Sequence, residues 1–208
     1  LEGFTIQVQN LGKRFNRDWI FRDFTYTFLS GNIYAVTGPN GSGKSTLLQV
    51  LWGQMPASDG TLVYQQNDAA ISVEDVFRHV TIATPYMELI EEFTLLEQLQ
   101  FHVGLKKMRG DISIDEIIEK LQLSFARNKP IADFSSGMRQ RLKLGLAFFT
   151  QADAIFLDEP GTNLDAQAFA WYLQNLRGLP ANTLIIMASN QPSEYPENAH
   201  KIDILRYK

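Results

Sequence analysis

The sequence predicts an α/β fold: a mainly parallel sheet, an antiparallel β patch ahead of it and a small helical subdomain within it. Three observations carry this. The runs AIFLD (154–158) and TLIIMAS (183–189) are apolar throughout, the texture of strands covered on both faces. The early runs FTIQVQ (4–9) and FTYTFL (24–29) instead alternate apolar and polar residues, as half-buried antiparallel strands do. Between about 86 and 131 the pattern turns helical.

Taken in order, IYAVT (33–37), TLVYQ (61–65), VTIAT (80–84) and KIDILRY (201–207) complete the expected strands. Residues 92–105 place Phe93, Leu96, Leu99 and Val103 near one helical face. SIDE at 113–116 fits a capping box, with Ser113 as N-cap and Glu116 reaching back. Periodicity alone does not separate a helical lobe over 86–131 from two helices packed into one core.

Composition narrows the function classes. With 208 residues, 45% of them hydrophobic, the chain can bury a full core as one domain, with room for a small lobe. A net charge of −4 provides no global positive field for nucleic acid or an anionic membrane, so any anion must be held locally. The absence of cysteine excludes disulfides, thiolate metal sites and a cysteine nucleophile. No run approaches the roughly 18 to 20 apolar residues of a spanning helix, and the N-terminus lacks a signal pattern, so a soluble chain is expected. His79, His102 and His200 show no ligand spacing, which points to packing or surface roles.

The stretch GPNGSGKST (38–46) satisfies G-x-x-x-x-G-K-[ST] through Gly38, Gly43, Lys44 and Ser45. An apolar strand precedes it and the helical STLLQVL follows. Its glycines let the backbone curl until successive N–H groups face phosphate oxygens, with the helix N-terminus adding partial positive charge. Lys44 is expected on the β- and γ-phosphates, Ser45 on Mg²⁺, and Thr46 as a further donor. The second expected part is acidic: Asp158 closes AIFLD and would hold the metal shell, while Glu159, next outward, can polarise water as a general base. The alternative is an Asp-Glu pair that merely starts a turn before Pro160.

Together with FSSGMRQRLKLGLAF (134–148), these segments resemble the nucleotide-binding domain of ABC transporters. The resemblance covers nearly the whole chain. It implies a P-loop NTPase (RecA-like) core over 1–85 and 132–208, a helical subdomain over 86–131, and ATP with Mg²⁺ as the ligands. The nucleotide set it implies is Phe15, Gly38, Asn40, Gly41, Gly43, Lys44, Ser45, Thr46, Ser135, Gly137 and Asp165. Ser135 and Gly137 stand where the family signature LSGGQ grips the γ-phosphate of ATP on the opposite subunit. GTNLDAQ (161–167) resembles the D-loop, with Asp165 reaching across the dimer. Phe15 stands where the family stacks an aromatic on adenine. Read without the resemblance, Ser135 could simply cap its helix and Phe15 could be a core residue.

The chain departs from the family in three places. Phe134, Ser136 and Met138 alter the signature. The switch histidine is replaced by Asn190, in ASNQPSE, which can donate and accept hydrogen bonds but cannot become a cation. Where the Q-loop glutamine belongs, ATPYMELIEE has none, leaving Thr84 or Glu88 as substitutes. Arg139, Arg141 and Lys143 follow the signature and read as a solvated or phosphate-facing surface.

The resemblance therefore implies an ATPase subunit with Glu159 and Asn190 as catalytic residues. It would dimerise with itself or another ATP-binding subunit and drive separate transmembrane permease subunits from the cytoplasmic face of the membrane. Two alternatives stand beside it: an ATP-dependent dimerisation switch with little turnover, and a soluble ABC ATPase not engaged in transport. No nucleic acid is expected, given the acidic charge.

Overall fold

The computed structural model describes residues 3–208. They form two compact units. The first comprises the described residues of 3–82, 152–159 and 180–208, and the second 83–151 and 160–179.

The first unit holds two sheets. In the antiparallel one, β1 (Phe4–Phe15) lies between β2 (Asp18–Leu29) and β4 (Asp59–Gln66), and β5 (Ala69–Ile71) pairs with β4. Both β1 and β2 outrun the expected 4–9 and 24–29. Register shifts between Val8 and Arg14, with Asn10 and Asp23 at positive φ, interrupt the period-two signal without ending the pairing. Asn16 at φ 54° turns β1 into β2, and Asn67 and Asp68, both at positive φ, turn β4 into the unexpected β5.

The second sheet has the order β6-β7-β8-β3-β9, where β3 is Ile33–Thr37, β6 Val80–Ala83, β7 Ala154–Asp158, β8 Leu184–Ala188 and β9 His200–Asp203. The pairs β7–β8, β8–β3 and β3–β9 are parallel. Every residue of β7 and β8 is buried, in keeping with their unbroken apolar sequences. The strand expected over 201–207 ends at Asp203, whose Oδ1 accepts from Leu205 N–H at 3.0 Å and starts a 3-10 turn over Ile204–Tyr207. Helix α1 (Lys44–Leu51) packs Leu47, Leu48, Val50 and Leu51 into a core shared with Phe4, Phe24, Phe28, Phe156 and Ile186.

The second unit carries α2 (Leu95–Leu105), α3 (Ile114–Lys120), α4 (Ser136–Phe149) and α5 (Ala166–Arg177). Helix α2 begins three residues later than expected because Thr94 and Glu97 form a capping box; Leu99 is buried as expected, but Val103 is 38% exposed. Ser113 and Glu116 make the predicted box at α3. Between α3 and α4 the approach is close: a Cβ on Gly145 would lie 2.2 Å from Leu121 Cδ2.

The basic cluster on α4 is half-exposed, in keeping with the solvated surface expected of it, and each of its cations also has partners inside this unit. Arg139 donates to Ala132 O at 2.8 Å and pairs with Glu91 at 3.2 Å. Arg141 donates to Gln122 Oε1 and lies over the Trp171 ring, and Lys143 donates to the carbonyls of Thr84 and Pro85. The histidines pack as expected: His79 bonds Asp153, His102 bonds Thr150, and His200 bonds Asn32.

Among the described residues, no helix is long and apolar enough to cross a membrane.

Candidate functional site

Strand register assembles the site in the first unit. Val36 of β3 and Asp158 of β7 both align with Ala188 of β8. The segments that leave the carboxyl ends of three adjacent parallel strands therefore emerge side by side, where open α/β sheets bind ligands. Two hydrogen bonds extend the alignment: Ser189 N–H donates to Val36 O at 3.1 Å, and Glu159 N–H to Ala188 O at 2.9 Å.

From β3 the chain passes through Gly38–Gly43 into α1. Gly43 sits at φ 97°, a conformation open to glycine, and a Cβ there would lie 2.5 Å from Ile20 Cγ2. Among the described residues, no side chain caps α1 and none in its first turn is acidic, so its leading N–H groups remain open to an anion. Lys44 Nζ folds back on the loop, donating to Gly38 O at 2.9 Å and Pro39 O at 3.2 Å. Burial pushes the Lys44 ammonium pKa down, opposed by the nearby Glu159 and Asp158 carboxylates.

Asp158 is only 1% exposed and is hydrogen-bonded by Ser45. Burial raises its pKa, which the Ser45 hydroxyl counteracts. Its Oδ1 has no hydrogen-bond partner among the described residues. A buried carboxylate oxygen without a partner is costly. With the Ser45 hydroxyl beside it, it offers the hard oxygen ligands that suit Mg²⁺. Among the described residues no cluster of three or more His, Cys, Asp or Glu could hold a metal, so such an ion would draw its other ligands from phosphate and water, as Mg²⁺ commonly does. The residues present fit the ion.

Glu159 lies next outward, half-buried, at φ 46°. A non-glycine residue in the left-handed region costs about 1 kcal/mol or more, and such outliers gather at functional sites. Asn190, which leaves β8, is exposed and donates from Nδ2 to Asn40 Oδ1 of the P-loop at 2.5 Å. Phe15 is 46% exposed on the β1–β2 hairpin, with Lys13 Nζ 5.3 Å from its ring centre, so it is not a core residue.

Ser135, Gly137 and Asp165 belong to the second unit. Ser135 caps α4, its Oγ accepting from Met138 N–H at 3.2 Å, which leaves its hydroxyl hydrogen available. A Cβ on Gly137 would lie 3.0 Å from Asn163 O. Asp165 caps α5, accepting from Ala168 N–H at 2.7 Å. Of the two candidates for the missing glutamine, Thr84 is buried and Glu88 exposed, both in the second unit. The link between Asn190 and Asn40 spans 150 residues and leaves no trace in local sequence.

An open helix N-terminus reached through a glycine loop, a lysine within it and a buried strand-end carboxylate define a P-loop nucleotide-binding core. The sequence model of the ABC transporter family matches residues 21–162, and the chain belongs to that family, as its nucleotide-binding domain. An uncharacterized ABC transporter ATP-binding protein of Bacillus subtilis strain 168 is 29% identical over 80% of this chain and 76% of its own length. The daunorubicin resistance ATP-binding protein DrrA2 of Streptomyces coeruleorubidus is 25% identical over 97% of this chain, and the Nod factor export ATP-binding protein I of Burkholderia lata 27% over 92%. The chain spans less than two thirds of those last two relatives, 63% and 64%. A solved Pyrococcus furiosus chain described as an ABC transporter ATP-binding protein superposes with TM-score 0.80 over 98% of both chains at 18% identity, a likeness of fold.

Proposed function

We propose that this chain is the ATP-hydrolysing subunit of an ABC transporter, closing as a dimer around two MgATP and driving separate membrane-spanning subunits from the cytoplasmic face of the membrane. The unpartnered Oδ1 of buried Asp158, beside Ser45 at an open helix N-terminus, carries this reading.

In this reading the loop N–H groups, Lys44 and Thr46 bind the triphosphate, with Gly38, Asn40, Gly41 and Gly43 forming the loop, and Phe15 stacks on the adenine. Ser45 and Asp158 hold Mg²⁺, which supplies positive charge against the phosphate oxygens. Glu159 accepts a proton from water as its oxygen attacks the γ-phosphorus and the bond to the bridging oxygen breaks, giving ADP and phosphate. Asn190 orients that water or the γ-phosphate. Ser135 and Gly137 of one copy bind the γ-phosphate held by the other, and Asp165 lies along the same contact.

Segment 84–93 receives a cytoplasmic helix of the membrane partner. It borders a cavity of about 640 Å³ walled by Met87, Leu89, Ile90 and Ile131 together with Arg139 and Lys143. Relatives named for daunorubicin resistance, Nod factor export and sulfate or thiosulfate import differ in cargo, which fits selection of the cargo by the membrane subunits.

Asn190 favours a second reading, an ATP-dependent dimerisation switch with negligible turnover. Titration calorimetry tests what the two share: Lys44→Ala should weaken MgATP binding by about 100-fold, because the triphosphate loses its main cation. Unchanged affinity would overturn both. Steady-state phosphate release separates them.

A further inference from the structure

We infer that Asn40 is a positioning residue acting through Asn190, fixing the amide that replaces a histidine so that it faces both the γ-phosphate and the attacking water. The inference rests on the proposed ATP hydrolysis.

The base of the Asn190 loop is already fixed. Ser189, fully buried, donates its N–H to Val36 O at 3.1 Å; its Oγ accepts from Gln191 N–H at 2.9 Å and donates to the carboxylate of Glu194, itself 2% exposed. The backbone entering Asn190 is thereby held against β3, while the Asn190 side chain projects into an exposed position with its own torsions still to be set. Asn40, on the P-loop, sets them by accepting from Nδ2 at 2.5 Å.

The donor inventory then becomes decisive. A primary amide has two N–H donors and a carbonyl with two lone pairs. With one N–H committed to Asn40, Asn190 retains one donor and its carbonyl, on two atoms of one rigid plane that share a carbon. The donor suits a γ-phosphate oxygen. The carbonyl suits a hydrogen of the water whose other proton passes to Glu159. An unpaired asparagine on an exposed loop would sample other rotamers and lose this alignment for much of the time.

A double-mutant cycle tests this in the full chain. Asn40→Ala should lower kcat about fivefold and Asn190→Ala about tenfold, with the dissociation constant for MgATP within about twofold of wild type in both. The double variant should match Asn190→Ala, because Asn40 has nothing left to position. In ¹⁵N-edited spectra the Asn190 side-chain amide should be shifted downfield in wild type and return to the free-amide range in Asn40→Ala. Additive losses, a raised dissociation constant accounting for the whole Asn40→Ala effect, or an unshifted amide in wild type would overturn the role of Asn40 while leaving ATP hydrolysis standing. Absent MgATP binding in wild type would overturn the proposed function itself. Binding without turnover would overturn hydrolysis and this inference together.

Discussion

Lys143 Nζ lies 2.9 Å from the carbonyl oxygen of Pro85 and 3.3 Å from that of Thr84, so the helix capped by Ser135 holds the segment following β6 through one ammonium. Four residues earlier on the same face, Arg139 pairs with Glu91 farther along that segment. Burial, with Arg139 nearby, lowers the Lys143 pKa, while its ammonium donates to two carbonyl acceptors. No glutamine lies in this segment, and two cations of α4 restrain it instead. Lys143→Met should speed amide exchange over 85–92 by about tenfold, the equivalent of losing one partly exposed charge-assisted bond of ~1.4 kcal/mol. Hydrogen exchange read by mass spectrometry checks this, and unchanged exchange would show that the Lys143 bonds contribute nothing there.

Glu159 combines proposed chemistry with backbone strain. Glu159→Gln should keep MgATP affinity, lose turnover and accumulate an ATP-bound dimer, because the ligands remain while the base is gone. Light scattering at saturating MgATP reads the dimer, repeated with the membrane partner if closure requires it. Glu159→Gly should also abolish turnover, yet raise stability by ~0.5 to 1 kcal/mol in urea unfolding, since glycine relieves φ 46°. A less stable Glu159→Gly variant would show that the side chain contributes more than its conformation costs.

What could be read in advance follows the range of the interactions. Gly38 to Thr46 and the AIFLDEP stretch were legible because backbone curvature, helix start and strand burial are written in adjacent residues. The Ser113 box was legible for the same reason. Phe15 was ambiguous, since an aromatic after a strand does not reveal whether its hairpin tip folds inward. The solvated face of Arg139, Arg141 and Lys143 was legible but their partners were not, because these are chiefly backbone carbonyls and a side-chain amide outside the helix, which no charge pattern displays. Strand ends blurred wherever Asn or Asp took a positive φ, as at Asn10, Asp23 and Asn67. The pairing of Asn40 with Asn190 depends on the order of strands in the sheet, and sequence spacing carries none of it.

His102 links stability to pH. Its Nε2 lies 2.7 Å from Thr150 Oγ1, and that hydroxyl already donates to Leu146 O at 2.6 Å, so the imidazole must be the donor at Nε2. Burial, with Lys106 adding repulsion, lowers its pKa from 6.5 to about 4. Between these values the unfolded chain binds more protons than the folded one. Stability from the neutral ring is therefore complete above pH 6.5 and declines as pH falls toward 4. His102→Gln, which keeps a donor without the titration, should remove about 2 kcal/mol of acid sensitivity over that interval. Urea midpoints of both proteins from pH 7 to 4 decide it, and parallel curves would contradict the assignment.

Restoring histidine at position 190 asks what the amide is suited to do. The Nδ1 atom of a histidine corresponds in reach to Nδ2 of Asn190, which donates to Asn40 at 2.5 Å. A neutral imidazole making that bond through Nδ1–H would turn the lone pair of Nε2 toward the γ-phosphate, where acceptor meets acceptor. Only the imidazolium would present a donor there, and its ordinary pKa near 6.5 makes that form scarce at pH 8. Asn190→His should accordingly be slower than wild type at pH 8 by about tenfold, the cost of one lost transition-state hydrogen bond of ~1.4 kcal/mol. Its rate relative to wild type should then climb as pH falls from 8 to 6, because wild type has no titrating group at this position. Steady-state phosphate release from the two proteins across that range, at saturating MgATP, measures the ratio. A ratio independent of pH would show that the group at position 190 gives no hydrogen bond to the transition state.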